Sequence, residues 1–267
     1  MKYTILSVSI LALAFSSCQK AIDLELNNSI PAFVIEGELK EGTQDFKIRI
    51  TKTSSYFSNE APTDVKNAVV TLQKAGDIPI ELVNDNNGFY SLSNYTAANS
   101  SEYSVAVSID GKTYNASSYM NAPVPLDSVQ IEKIQGGPFG GGNEPNYILF
   151  CNYKDPAGTF NYYRVKTVLN GQTDKPDNNI VVLDDRLTDG NNIRFPLFSD
   201  QFKLNTVVEI QLLSIDKKTY DYFNTLGLIV GGGNGSAAPA NPISNWSNGA
   251  LGYFGATSVS IQTVTIK

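Results

Sequence analysis

Apolar side chains recur at every second position in short runs along most of the chain. Phe46-Lys47-Ile48-Arg49-Ile50 and Tyr103-Ser104-Val105-Ala106-Val107 alternate between one apolar and one more polar face, the pattern of a half-buried antiparallel strand. Runs rich in β-branched and aromatic residues occupy 32–39, 45–53, 67–74, 78–83, 88–92, 102–109 and 112–118. Clusters of Gly, Asn, Asp and Pro separate them at a spacing of roughly ten residues, which predicts a seven-strand sandwich. Asp110-Gly111, between Ile109 and Lys112, is a two-residue turn that closes a hairpin.

Asn121-Ala122-Pro123-Val124-Pro125-Leu126 places two prolines in a short stretch, which stiffens the chain and marks a boundary. A second β-rich unit follows, with strands predicted at 128–134, 147–153, 160–169, 179–183, 192–197, 207–214 and 258–266. One helix is predicted at 216–227. Asp216 is its N-cap, Tyr220, Phe223 and Leu226 form one stripe, and Gly227 lies near its end. The expected organisation is a leader at 1–17, a tether at 18–31, a sandwich at 32–122, a linker at 123–127 and a β-rich domain at 128–267. The fold class is all-β, with the second unit a sandwich or barrel-like domain carrying one short helix.

Composition narrows the chemistry. None of the 267 residues is His, which excludes Ser-His-Asp triads, Cys-His dyads and His-ligated metal sites. The formal net charge of −6 argues against a surface that neutralises phosphates, so no nucleic-acid partner is expected. Met1-Lys2 followed by an apolar run from Ile5 to Phe15 is of export-signal length and too short to span a bilayer. The run ends in Ser16-Ser17-Cys18, similar to a bacterial lipobox in which Cys18 carries the lipid. Several acyl chains at about 0.8 kcal/mol per buried CH₂ would anchor the protein stably. Cys151 then has no partner for a disulfide, and its apolar surroundings from Tyr147 to Tyr153 make it a buried small hydrophobe rather than a reactive thiol. The acidic residues Asp23 and Glu25 behind Cys18 loosely resemble the surface-export signal of Bacteroidetes lipoproteins.

Several stretches together carry a family resemblance. The lipid cysteine, Val69-Thr71-Leu72 to Gly88-Phe89-Tyr90, Pro125-Leu126-Asp127-Ser128, the aromatic helix from Asp216 to Leu226, and Pro239-Ala240-Asn241-Pro242 to Gly249-Ala250-Leu251-Gly252-Tyr253-Phe254 resemble the domain-of-unknown-function 4249 lipoproteins of Bacteroidetes. The likeness spans nearly the whole mature chain. It implies an outer-membrane lipoprotein, exposed on the cell surface, that works with a TonB-dependent transporter. The first half also resembles immunoglobulin-like and transthyretin-like sandwiches, which serve as non-catalytic modules. Asp127-Ser128-Val129 resembles the three-residue O-glycosylation sequon of exported Bacteroidetes proteins, and otherwise reads as a strand start.

Other segments invite a chemical reading. The glycine-rich stretches 136–142 and 231–236 lack the Lys-Ser or Lys-Thr and the strand-turn-helix order of a phosphate site; they read as loops. Asp184-Asp185 pair in sequence and Asp155, Asp189, Asp200 and Glu209 stand singly, but a glycosidase needs two carboxyls facing each other across a sugar. Asp184 to Asn192 reads as a solvated turn, with a Ca²⁺ loop as the alternative that departs from EF-hand spacing. Tyr222, Trp246, Tyr253 and Phe254 are the candidates for ligand or partner binding, because aromatic rings stack on sugars and peptides. Tyr220 and Phe223 read as core. Trp246, the single tryptophan, is read first as a plug at the core edge and alternatively as an exposed anchor. The expected role is non-enzymatic ligand capture or transporter accessory, with no cofactor and no metal, and with a glycan or peptide as ligand. A carboxylate-dependent hydrolase and an adhesin or structural sandwich are the alternatives.

Overall fold

The computed structural model describes residues 31–54, 61–134, 146–173, 180–199, 201–231 and 241–267. The leader, Cys18 and the tether before residue 31 lie outside these residues, as do 136–142, 232–236 and Asp200.

The strands are β1 (Phe33–Lys40), β2 (Gly42–Lys52), β3 (Thr63–Asp64), β4 (Val69–Lys74), β5 (Ile80–Glu81), β6 (Val83–Asn84), β7 (Phe89–Ala97), β8 (Ser101–Ile109) and β9 (Lys112–Met120), then β10 (Leu126–Ile134), β11 (Asn146–Lys154), β12 (Tyr162–Leu169), β13 (Gln172–Thr173), β14 (Val181–Asp184), β15 (Asn192–Phe198), β16 (Val207–Ile215) and β17 (Leu251–Thr265). Helix α1 (Lys217–Gly231) and a 3₁₀ turn (Ser247–Gly249) lie between β16 and β17. The fold is all-β with one α-helix among the described residues, as the alternating pattern predicts, and its sheets are open sandwich layers rather than a closed barrel.

The largest sheet runs β13-β12-β16-β17-β1-β2-β7-β6, with β14 added at β12 and β3 at β2. Its continuity depends on β17. Residues 251–257 of that strand run parallel to β1, from Val34↔Leu251 to Lys40↔Thr257. Residues 258–265 run antiparallel to β16. A four-stranded sheet, β5-β4-β8-β9, and a three-stranded sheet, β10-β11-β15, complete the two sandwiches.

Each sandwich has its own core. The first joins Ile35, Phe46, Ile48 and Tyr90 to Leu72, Tyr103 and Val105, and takes in Trp246, Ala250, Phe254 and Ala256 from the far end of the chain. The second joins Leu149, Cys151 and Tyr153 to Tyr163, Val208, Ile210 and Leu212. Residues 246–257, grouped by sequence with 128–267, thus pack in the first sandwich. The Asn121–Leu126 stretch is tied down rather than loose. Val124 and Leu126 are buried, and their N–H groups donate to Ser214 Oγ at 3.2 Å and Ser260 Oγ at 2.8 Å.

Local chemistry accounts for the elements. In β2, Phe46, Ile48 and Ile50 are buried while Lys47 and Arg49 are exposed. Asp110 and Gly111 have φ of 49° and 77°, the left-handed pair of a type I′ hairpin turn. Asp216 caps α1, its Oδ1 accepting the Thr219 N–H at 2.8 Å. The helix runs on through Gly227 to Gly231, beyond the predicted end, and Gly227 sits close against Ile180. The last strand begins at Leu251, seven residues before its predicted start. Gly252 and Gly255 obscure it in the sequence because glycine depresses a strand signal. Close approach demands glycine at 252 and makes 255 a tight position. A Cβ on Gly252, at φ +90°, would lie 2.2 Å from the Ile35 carbonyl oxygen, and one on Gly255 would lie 3.0 Å from Thr219 Oγ1.

Candidate functional site

A groove of about 460 Å³ opens where β8 and β9 meet α1 and the segment before the 3₁₀ turn. Its walls include Asn115 and Ser117 from β9, Lys218 and Asp221 from α1, and Ile243 and Trp246. Strand alternation directs Asn115 and Ser117 away from the face that buries Tyr114, Ala116 and Ser118. Lys218 reaches back to Ser117, its Nζ donating to Oγ at 3.0 Å. Lys217 Nζ and Asp221 Oδ2 pair at 2.6 Å one turn apart on the helix.

Trp246 forms part of the wall but belongs to the core, with 6 % exposure. Its indole N–H donates to the Ile35 carbonyl at 2.9 Å. Asn245 beside it acts as a backbone mimic: Nδ2 donates to the Phe254 carbonyl at 2.6 Å, and Oδ1 accepts the Phe254 N–H at 3.0 Å. Ser247 Oγ accepts the Asn115 N–H at 2.8 Å, and Asn248 Nδ2 donates to the Thr113 carbonyl at 2.8 Å. These bonds fasten the segment to β9. Ile243, in contrast, is 56 % exposed.

The four aromatic candidates divide into two groups. Phe254 is fully buried and lies edge-on to Phe46, with centroids 6.1 Å apart, in the same core as Trp246. Tyr222 and Tyr253 stack at 4.7 Å and 27°, and Phe223 meets Tyr253 edge-on at 4.7 Å. This second cluster joins α1 to the outer face of the large sheet, where Arg164 lies 3.6 Å from the Phe223 ring centroid. Burial pushes the Tyr222 hydroxyl up to about 12, with the Glu36 charge adding to the rise. Tyr253 moves the same way, chiefly through burial. Tyr222, Trp246 and Phe254 are therefore covered by protein, and of the four only Tyr253 is partly exposed. Tyr220, read as core, is only partly buried, and its hydroxyl donates to Asp184 Oδ2 at 2.9 Å. Cys151 is 1 % exposed on β11, and burial pushes its thiol up to about 12.

Asp184 and Asp185 turn to different partners. Asp184 pairs with Arg186 at 2.9 Å, and hydrogen bonding from Arg186 holds its carboxyl below the usual range. Asp185 turns inward, where Oδ2 accepts the Asn161 N–H at 2.8 Å. The carboxylates of Asp155, Asp185 and Asp189 converge, with one oxygen from each lying within 4.8 Å of the others. The turn expected at 184–192 is present and mostly solvated, but Asp185 within it is buried, as is Asp155 from a different loop. That convergence was beyond sequence reading, since strand pairing brings the loops together. Glu209 stands apart on β16, where its Oε1 accepts from Gln211 Nε2 at 2.7 Å. Asp127 and Ser128 are exposed at the start of β10.

Residues 19–263 match the model of the family described as "Domain of unknown function (DUF4249)". No curated protein matches the chain.

Proposed function

We propose that this chain, which belongs to the domain-of-unknown-function 4249 family, is a lipid-anchored outer-membrane protein at the cell surface that captures a ligand for a TonB-dependent transporter without catalysing a reaction. The observation that carries this reading is the groove between β9, α1 and Trp246. It sets amide and hydroxyl groups of Asn115, Ser117 and Ser247 beside the apolar side chain of Ile243. That combination suits a short glycan or an extended peptide, which needs both an apolar wall and a few placed hydrogen-bonding groups. The groove lining contains one carboxylate, Asp221, whereas a retaining or inverting glycosidase needs two across the scissile bond. The convergent aspartates elsewhere are too enclosed to receive a sugar, since Asp155 and Asp185 are buried. The chain contains no His, which further favours binding over acyl transfer or hydrolysis by a triad. The lipobox-like Ser16-Ser17-Cys18 supports membrane attachment.

Affinity isolation of the full-length lipidated protein from membranes tests the reading. A TonB-dependent barrel is expected to co-purify, and mass spectrometry is expected to find acyl chains on Cys18. Ile243→Glu, at an exposed wall position, should abolish binding to glycan and peptide arrays while leaving barrel co-purification and the circular dichroism spectrum unchanged. An unmodified Cys18, or no barrel recovered with the native chain, would overturn it.

A further inference from the structure

We infer that Asp155, Asp185 and Asp189 form a binding site for a divalent cation of the calcium class, independent of the groove. The convergence of three carboxylates is the first observation. The second is an unsatisfied buried charge. Among the described residues four buried side-chain oxygens lack a hydrogen-bond partner; three are hydroxyls of Thr219, Thr257 and Ser258, and the fourth is Asp185 Oδ1. A buried hydroxyl without a partner is a modest cost, whereas a buried carboxylate oxygen without one is a large cost unless a cation faces it. Among the described residues no Lys or Arg pairs with any of the three carboxylates.

The surrounding structure is built rather than incidental. The two loops, 155–161 between β11 and β12 and 185–191 between β14 and β15, are cross-tied at every carboxylate. Asp155 Oδ1 accepts from the Tyr163 hydroxyl, and its Oδ2 accepts from the Gly190 N–H at 2.9 Å. Asp189 Oδ1 accepts from the Gly158 N–H at 2.8 Å. The loop backbones exchange bonds at Asp155 N–H to the Asn191 carbonyl, 3.0 Å, and Asp185 N–H to the Asn161 carbonyl, 3.3 Å. Gly190 lies so near Ala157 that a Cβ would be 2.7 Å from the Ala157 methyl. These bonds use one lone pair on each accepting oxygen, and a carboxylate has about four such sites in all. The cluster supplies only oxygen. That donor set selects a hard cation, and a cluster of several carboxylates suits Ca²⁺ better than Mg²⁺, which keeps most of its own waters.

Titration of the full mature chain with CaCl₂ by calorimetry, after chelation, tests the site. One saturable event per chain is expected, with Kd on the order of 10⁻⁴ M for an extracellular module, together with a rise in Tm that EDTA reverses. Asp185→Asn removes the buried charge while keeping the shape. It should abolish the calcium response, and without calcium it should melt at or above the Tm of the native chain. Asp189→Asn, at the exposed member, keeps the acceptor for Gly158 and should weaken binding at least tenfold in a protein that folds normally. The assignment is overturned if the native chain shows no saturable heat up to about 10 mM calcium. It is equally overturned if both variants bind as the native chain does, or if Mg²⁺ saturates the site at lower concentration than Ca²⁺.

Discussion

Trp246 is the plug at the core edge that its sequence context first suggests. In sequence it stands in a polar turn, Asn245-Trp246-Ser247-Asn248-Gly249; in the fold its ring closes the first core and its N–H satisfies the Ile35 carbonyl. Trp246→Phe keeps much of the apolar volume but orphans that carbonyl, so a loss of about 2 kcal/mol is expected in urea unfolding followed by circular dichroism. An unchanged midpoint would mean the bond contributes nothing. The buried tyrosines set a second expectation. Tyr222 is raised to about 12 by burial, and burial also raises Tyr153, Tyr163 and Tyr253. With an unfolded value near 10, the unfolded chain loses these protons first. The stabilising contribution is complete below pH about 10 and disappears as pH rises through the folded values. An alkaline titration should therefore show a delayed tyrosinate fraction that appears together with loss of structure; a simple titration of all tyrosines in an intact fold would contradict this. Among single residues, the Asp216 cap and the inert Cys151 were readable from neighbours in sequence. The meeting of Asp155 with Asp185 was not, because only the pairing of β12 with β14 brings their loops together.

Elements were legible wherever their cause is local. Alternation located β2 and β8, and Asp110-Gly111 located the β8–β9 hairpin, because period and turn chemistry act within a few residues. The first half of β17 was missed because its glycines answer to distant atoms. Gly252→Ala combines an unfavourable positive φ with a clash against Ile35 backbone, and is expected to cost at least about 3 kcal/mol. Thermal denaturation checks this, and a shift smaller than that of Trp246→Phe would show that β1 and β17 can part without penalty. Helix α1 was found from its cap and aromatic stripe, and Phe223 is buried as its place on that stripe predicts, yet the sequence did not reveal that Tyr222 would be consumed in stacking on Tyr253. Exposed Phe160 and Leu187, at 73 % and 94 %, sit on the two loops that carry the aspartates.

Among the described residues two cores are joined by one sheet that runs through both sandwiches. Because β17 pairs with β1 in one half and with β16 in the other, neither sandwich is complete without it. Calorimetry of the mature chain should give a single unfolding transition, and deletion of residues 251–267 should leave both halves unfolded. Two resolved transitions, or a folded first sandwich in the truncated chain, would show that the cores are energetically separate. Local pattern carried the all-β class to this scale, but the register that unites the halves depends on segments at opposite ends of the sequence.

The parallel pairing of the earliest described strand with the final one also governs timing. A polypeptide emerging amino end first from a ribosome exposes β1 and its antiparallel neighbour β2 long before the parallel neighbour β17 exists. The first core, which takes in Trp246, Ala250, Phe254 and Ala256, is therefore expected to close only after those residues have been made.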